Sequence, residues 1–175
     1  MRQRALMADA VTGAAAGLAA SFLMNTFQTA WAKVSHTLKS GSDHEADSRS
    51  GDNDEADPPA TVKAAQKVYG TVACGPLPEA KRETAGSLVH YGFGAVLGAI
   101  YGAVSRGNPS IRSGYGTVYG AGVSIVADEV LVPATGLSPP PAKSPASSHI
   151  FGLISHIVFG AALEGSRRLI KRAAG

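Results

Sequence analysis

Two carboxylates and three imidazoles stand inside stretches of this chain that are otherwise apolar. Asp128 and Glu129 are adjacent near the end of the run 115–132. His149 and His156 occupy the run that follows, and His90 lies near the start of an earlier one. Ionisable groups are costly to bury unless they are paired or hydrogen-bonded. Inside a membrane span they mark a functional site by default. A carboxylate beside an imidazole can take up or pass a proton near neutral pH, and His156 is the expected partner of Asp128 or Glu129, with His90 second. Two histidines and an acid could also bind zinc or iron. No HxxH or HxxxH spacing draws them together, and the single cysteine, Cys74, belongs to no CxxC pair, so neither metal nor cofactor is expected. Ser155 and His156 are neighbours without a nucleophile elbow or oxyanion motif around them. The chain is therefore read as a non-enzymatic protein.

The elements that must position these groups are four apolar stretches, over residues 10–31, 85–105, 115–132 and 148–164. The chain has 175 residues, enough for a single membrane domain, and its mean hydropathy of +0.06 hides a segregation of apolar from polar blocks. A stretch of about 20 apolar residues spans a bilayer core. Gly reaches 21 residues, and small residues are what close helix packing in lipid prefers. Gly13 and Gly17 form one such face, Gly94, Gly98 and Gly102 a second, Gly116 and Gly120 a third. The first stretch could also be a secretory signal ending at Ala30-Trp31-Ala32, but Asn25 and Gln28 suit a signal core poorly. Residues 40–59 hold seven acids and one arginine among Ser, Gly and Pro, and read as a disordered acidic linker, not as a calcium loop. Residues 61–74 read as a short amphipathic helix that lies on the membrane surface or caps the bundle. Pro133 is expected to end the third span. A stiff loop containing Gly136, Pro139, Pro140 and Pro145 follows.

Four spans put both termini on one side. Arg2, Arg4, Arg106, Arg112, Arg167, Arg168, Lys171 and Arg172 fall on that side, and the short loop opposite carries only Lys143. The positive-inside rule then places both termini in the cytoplasm. In this topology His90 lies roughly 8 Å below the outer surface, the two acids roughly 6–8 Å and His156 roughly 12 Å, at about 1.5 Å per residue. His149 sits at the rim, and Asn25 and Gln28 lie near the outer end of the first span. The polar groups of all four spans thus share a depth. Adjacent helical residues point about 100° apart, so only one of Asp128 and Glu129 is expected to face inward. Glu164 is followed by Arg167 and Arg168 and reads as a helical ion pair near the inner surface. The net charge of +3 comes from residues at segment ends, not from one face, which excludes a nucleic-acid footprint.

Pro133, Gly136, Leu137, Ser138, Pro139, Pro140 and Pro145 form a spaced pattern that continues through Ser155-His156, Glu164 and Arg167-Arg168. His90, Tyr101, Pro109, Gly116 and Gly120 precede it. Over residues 85–172 the chain resembles the YagU-like family of small bacterial inner-membrane proteins. The resemblance implies an integral inner-membrane protein without an established biochemical activity, connected at family level with tolerance of acid. The expected fold is all-α: four transmembrane helices with a short amphipathic helix in the first outer loop. The expected partners are the lipid bilayer and either a second copy, met through the glycine faces, or another membrane protein. The polar cluster would respond to protons or conduct ions; in the alternative, a structural subunit, it only locks the helices.

Overall fold

The computed structural model describes residues 2–40, 58–73 and 75–174, and every regular element among them is helical. α1 is Arg2–Ser40, α2 Ala60–Ala73 and α3 Arg82–Ser105. After a 3-10 stretch at Pro109–Gly116, α4 runs over Thr117–Ser124 and widens into a π-helical segment, Ile125–Leu131. A last turn, α5 (Val132–Ala134), closes it, and α6 is Ala146–Ala174. The acidic stretch 40–59 falls almost wholly outside the described residues.

Four stretches are long and apolar enough to cross a membrane: Gln3–Ser35, Glu79–Ser105, Pro109–Ala134 and Ala146–Ala174. The chain is a multi-pass membrane protein by this measure. The distribution of side chains agrees, because many large apolar side chains face outward. Phe22, Leu88, Val96, Val118, Ile125 and Ile150 are each more than half exposed. The interior is built from Ala16, Ala20, Met24, Tyr101, Phe159 and Leu163. In lipid a large apolar side chain gains little by turning inward, so helices associate through the close fit of small ones.

That fit is made by glycine. Gly13 and Gly17 of α1 lie against Gly94, Gly98 and Gly102 of α3, so closely that a Cβ on Gly13 would strike the carbonyl of Gly98, and one on Gly98 the carbonyl of Gly13. Gly116 and Gly120 meet Gly160 and the backbone of His156 on α6 in the same way. All seven glycines singled out from the sequence therefore face neighbours in their own chain, and an interface between copies needs another surface. α1 also packs against α6, and α4 against α6. α3 and α4 are bridged by the Tyr119 hydroxyl, which donates to the Leu97 carbonyl at 2.8 Å. α2 packs on α3, with Val62 beside Gly86 and Ala65 buried, and Lys67 Nζ donates to the Thr135 carbonyl at 2.6 Å.

The third span departs from expectation at both ends. Gly114 and Tyr115 take left-handed conformations (φ 60° and 59°) and Gly116 follows at 87°, so the helix starts at Thr117 and not at Tyr115. Pro133 does not end it. Pro133 sits inside the last turn, and the stop is Gly136 at φ 67°. The Gly136 N–H donates to the Pro133 carbonyl and the Leu137 N–H to that of Val132. This is a glycine cap, which needs a residue free of the Cβ penalty at positive φ. A proline inside a helix lacks an N–H and crowds the carbonyl four residues back. Here the backbone accommodates it by widening, and the Val132 N–H reaches back five residues to Ala127.

Candidate functional site

The C-terminal half of α1, the N-terminal half of α3, the π-helical segment and the N-terminal half of α6 meet at one end of the bundle. They enclose a partly open cavity of about 650 Å³. α1 contributes Asn25 and Gln28, α3 contributes His90, the π-helical segment Asp128 and Glu129, and α6 His149 and His156. Ala60, Thr61 and Val62 of α2 and Pro139 and Pro141 of the proline loop complete its wall, while Pro133, Gly136, Pro140 and Pro145 do not line it. The seven polar residues singled out for this end of the protein thus share one space.

Both acids line it, not one of the two. The divergence of about 100° between successive side chains belongs to an α-helix. The wider turn of a π-helix reduces it, and such turns recur at functional sites. Glu129 Oε1 lies 2.6 Å from His149 Nδ1, and Asp128 Oδ2 lies 3.1 Å from His156 Nδ1. The Ser124 hydroxyl also donates to Asp128 Oδ2, at 3.1 Å. The two acids have therefore taken separate histidines. His90 lines the cavity but reaches neither acid: its Nε2 is buried without a hydrogen-bond partner among the described residues. Its ring stands edge-on to Tyr91 at 5.5 Å.

The hydrogen-bond partners constrain where protons sit. His149 Nε2 lies 3.1 Å from the Pro141 carbonyl oxygen. A carbonyl only accepts, so Nε2 carries a hydrogen. Nδ1 then faces a carboxyl oxygen at 2.6 Å. Either an imidazolium donates to a carboxylate or a carboxylic acid donates to a neutral imidazole. In both descriptions one proton lies between Glu129 and His149. His156 Nδ1 lies 3.0 Å from the Gly152 carbonyl, so its hydrogen is on Nδ1 and is shared with Asp128. Its Nε2 makes no hydrogen bond among the described residues and is the atom open to a second proton.

The other end of the bundle holds a second, denser polar group. Glu164 is fully buried and accepts from Tyr101 (2.9 Å), from Arg167 Nε and Nη2 (2.8 and 3.0 Å) and from Arg168 Nε (2.6 Å). The expected ion pair forms, with its carboxylate buried inside the bundle. α6 does not leave the bundle at Glu164: it runs on to Ala174, with Tyr101 of α3 beneath it. Asp9 carries no signal in the sequence, where it stands in the N-terminal flank. It is buried, and accepts from Arg106 Nη1 at 2.7 Å and Lys171 Nζ at 2.5 Å, joining α1, α3 and α6. Partners 97 and 162 positions away leave no local pattern to read.

A family model described as a protein of unknown function, DUF1440, matches residues 33–165, so the chain belongs to that family. No curated protein and no solved structure matches it.

Proposed function

We propose that this DUF1440 member is a non-enzymatic protein of the bacterial inner membrane whose outer cavity takes up and releases protons, in the service of acid-stress or envelope homeostasis. The observation that carries the reading is the Glu129–His149 pair, in which two facing acceptor-capable atoms 2.6 Å apart require a proton between them. Asp128 with His156, and the Nε2 of His90, which has no hydrogen-bond partner among the described residues, supply further protonatable groups in the same cavity. Imidazole is the side chain whose charge ordinarily changes between pH 5 and 8.

Purified protein in liposomes under a pH gradient tests it. Asp128→Asn, Glu129→Gln and His156→Ala are each expected to lower proton flux by about a hundredfold, the low end of general acid–base contributions. Unchanged flux in all three would sink the reading.

Both termini are assigned to the cytoplasm. Support comes from the contact of Asp9 with Arg106 and Lys171, which gathers the start of α1 with the arginine-rich ends of α3 and α6, and cytoplasmic flanks carry the excess of Lys and Arg. In a Cys74→Ser background, Ser50→Cys is expected to react with an impermeant maleimide from outside and Ser110→Cys only from within. The reverse pattern inverts the orientation.

A second reading is favoured by one feature. Both histidine–carboxylate pairs join the π-helical segment to α6. In a structural subunit that binds a second copy or another membrane protein, these pairs only hold the hairpin. The same variants then weaken the fold and leave flux per folded protein as it was.

A further inference from the structure

We propose that the cavity binds a small organic cation, a primary ammonium, in exchange for a proton. The inference rests on the proton-exchanging reading above and names what takes the proton's place.

The charges around the cavity come first. α3 supplies Glu83, His90 and Tyr91, the π-helical segment Asp128 and Glu129, α6 His149 and His156, and α1, among its described side chains, no ionisable group. Among the described residues no Lys or Arg lines it. The nearest arginine in sequence, Arg82, turns to Glu79 at 3.5 Å, and Lys67 is held on the Thr135 carbonyl. Once the proton between Glu129 and His149 has left and the imidazoles are neutral, the described lining carries three carboxylates and no Lys or Arg, which disfavours an anion and favours a cation.

Size and lining select among cations. A volume of about 650 Å³ is that of a small-molecule site, and far exceeds a bare ion. No group of three or more His, Cys, Asp or Glu is placed to hold a metal among the described residues. Met24, Tyr91, Phe93 and Phe159 present apolar surface beside the acids. An alkyl stem lies well on such a wall, and aromatic faces attract ammonium.

The exchange follows from the atoms of the Glu129–His149 pair. When its proton leaves for solvent, Nδ1 and Oε1 are left as two acceptors facing each other 2.6 Å apart. An ammonium has three N–H donors and no acceptor, so it can donate to both as they part to admit it. One proton departs from between Nδ1 and Oε1 as one ammonium enters, charge is conserved, and no bond other than the one holding that proton is broken. Acid reverses the exchange.

Calorimetry on the full chain in detergent, with butylamine as the probe, tests this. Binding is expected at about pH 8 and is expected to be at least about tenfold weaker at about pH 5.5, where imidazoles hold protons. Repeating the titration in two buffers of different ionisation heat is expected to show proton release on binding. Asp128→Asn with Glu129→Gln is expected to abolish the binding while circular dichroism stays helical. If that variant does not fold, the wild-type measurements still decide. No binding at either pH overturns the inference, as does an equal response to sodium chloride at the same ionic strength. So does binding without proton release. Absent amine binding alongside a Glu129→Gln loss of proton flux overturns the amine site alone and leaves the proton reading standing.

Discussion

Glu164→Ala is expected to destabilise the fold by about 3–5 kcal/mol, the cost of breaking a buried ion pair from one side. The reason is what remains. Arg167 is 5% exposed, and without Glu164 its guanidinium keeps its charge in the bundle interior without a carboxylate partner among the described residues, 5.9 Å from the centroid of the Tyr101 ring. The Tyr101 hydroxyl, on a residue with no exposed surface, loses its acceptor. Arg168 loses less. It is exposed and already stands 4.5 Å over the Tyr115 ring. The second substitution that should rescue the variant is therefore Arg167→Met and not Arg168→Met. Replacing both members of a buried pair by apolar groups is often close to neutral. A denaturing-detergent titration followed through Trp31, the one tryptophan, measures all three variants. Equal stability of Glu164→Ala and wild type would show that the four hydrogen bonds to this carboxylate contribute nothing net.

Gly98→Leu carries the second large effect. Gly98 sits where α1 and α3 touch, and a Cβ there would meet the Gly13 carbonyl and the backbone of Gly17. Overpacking a core commonly costs about 1–3 kcal/mol when side chains can shift. Here the obstacle is backbone on a packed helix, which cannot rotate away, so the loss is expected at or above the top of that range. The control is Gly92→Leu on the same helix. Gly92 is exposed and a Cβ there meets nothing within 4 Å. A helix interior gains up to about 1 kcal/mol when glycine is replaced by a good helix former. Gly92→Leu is therefore expected to be neutral or slightly stabilising, while Gly98→Leu loses the native α1–α3 contact. Similar behaviour of the two would mean that the glycine contact is not what holds these helices together. The result also bears on association between copies, because these faces are already occupied within one chain.

These two sites show how unevenly the protein could be read in advance. The helices were legible because a span of apolar residues has one solution in lipid: its backbone must satisfy its own hydrogen bonds. The glycine faces were legible because small residues four apart fall on one side of a helix. Which face meets which was not. Gly160, which lies against Gly116 and Gly120, has no glycine four residues before or after it and so no repeat to mark it. Asp9 was likewise invisible, since its partners come from the far ends of α3 and α6. Pro133 misled as a stop signal because its position inside a turn depends on how the preceding backbone widens.

The histidines and acids mark the same boundary. Their residue types and their distance from the ends of their spans are properties of the chain alone. Counting a fixed rise per residue was enough to put Asn25, Gln28, His90, Asp128, Glu129, His149 and His156 at a common depth, and one cavity holds all seven. Depth says nothing about rotation about the helix axis or about partners. Those came from the π-helical segment, which turns Asp128 and Glu129 to the same cavity, and from packing that brings α6 beside it, so that Glu129 meets His149 and Asp128 meets His156. Position along a helix is set by sequence because the rise per residue hardly varies. Direction around it is set by the tertiary structure, because one widened turn or one glycine contact rotates every side chain beyond it.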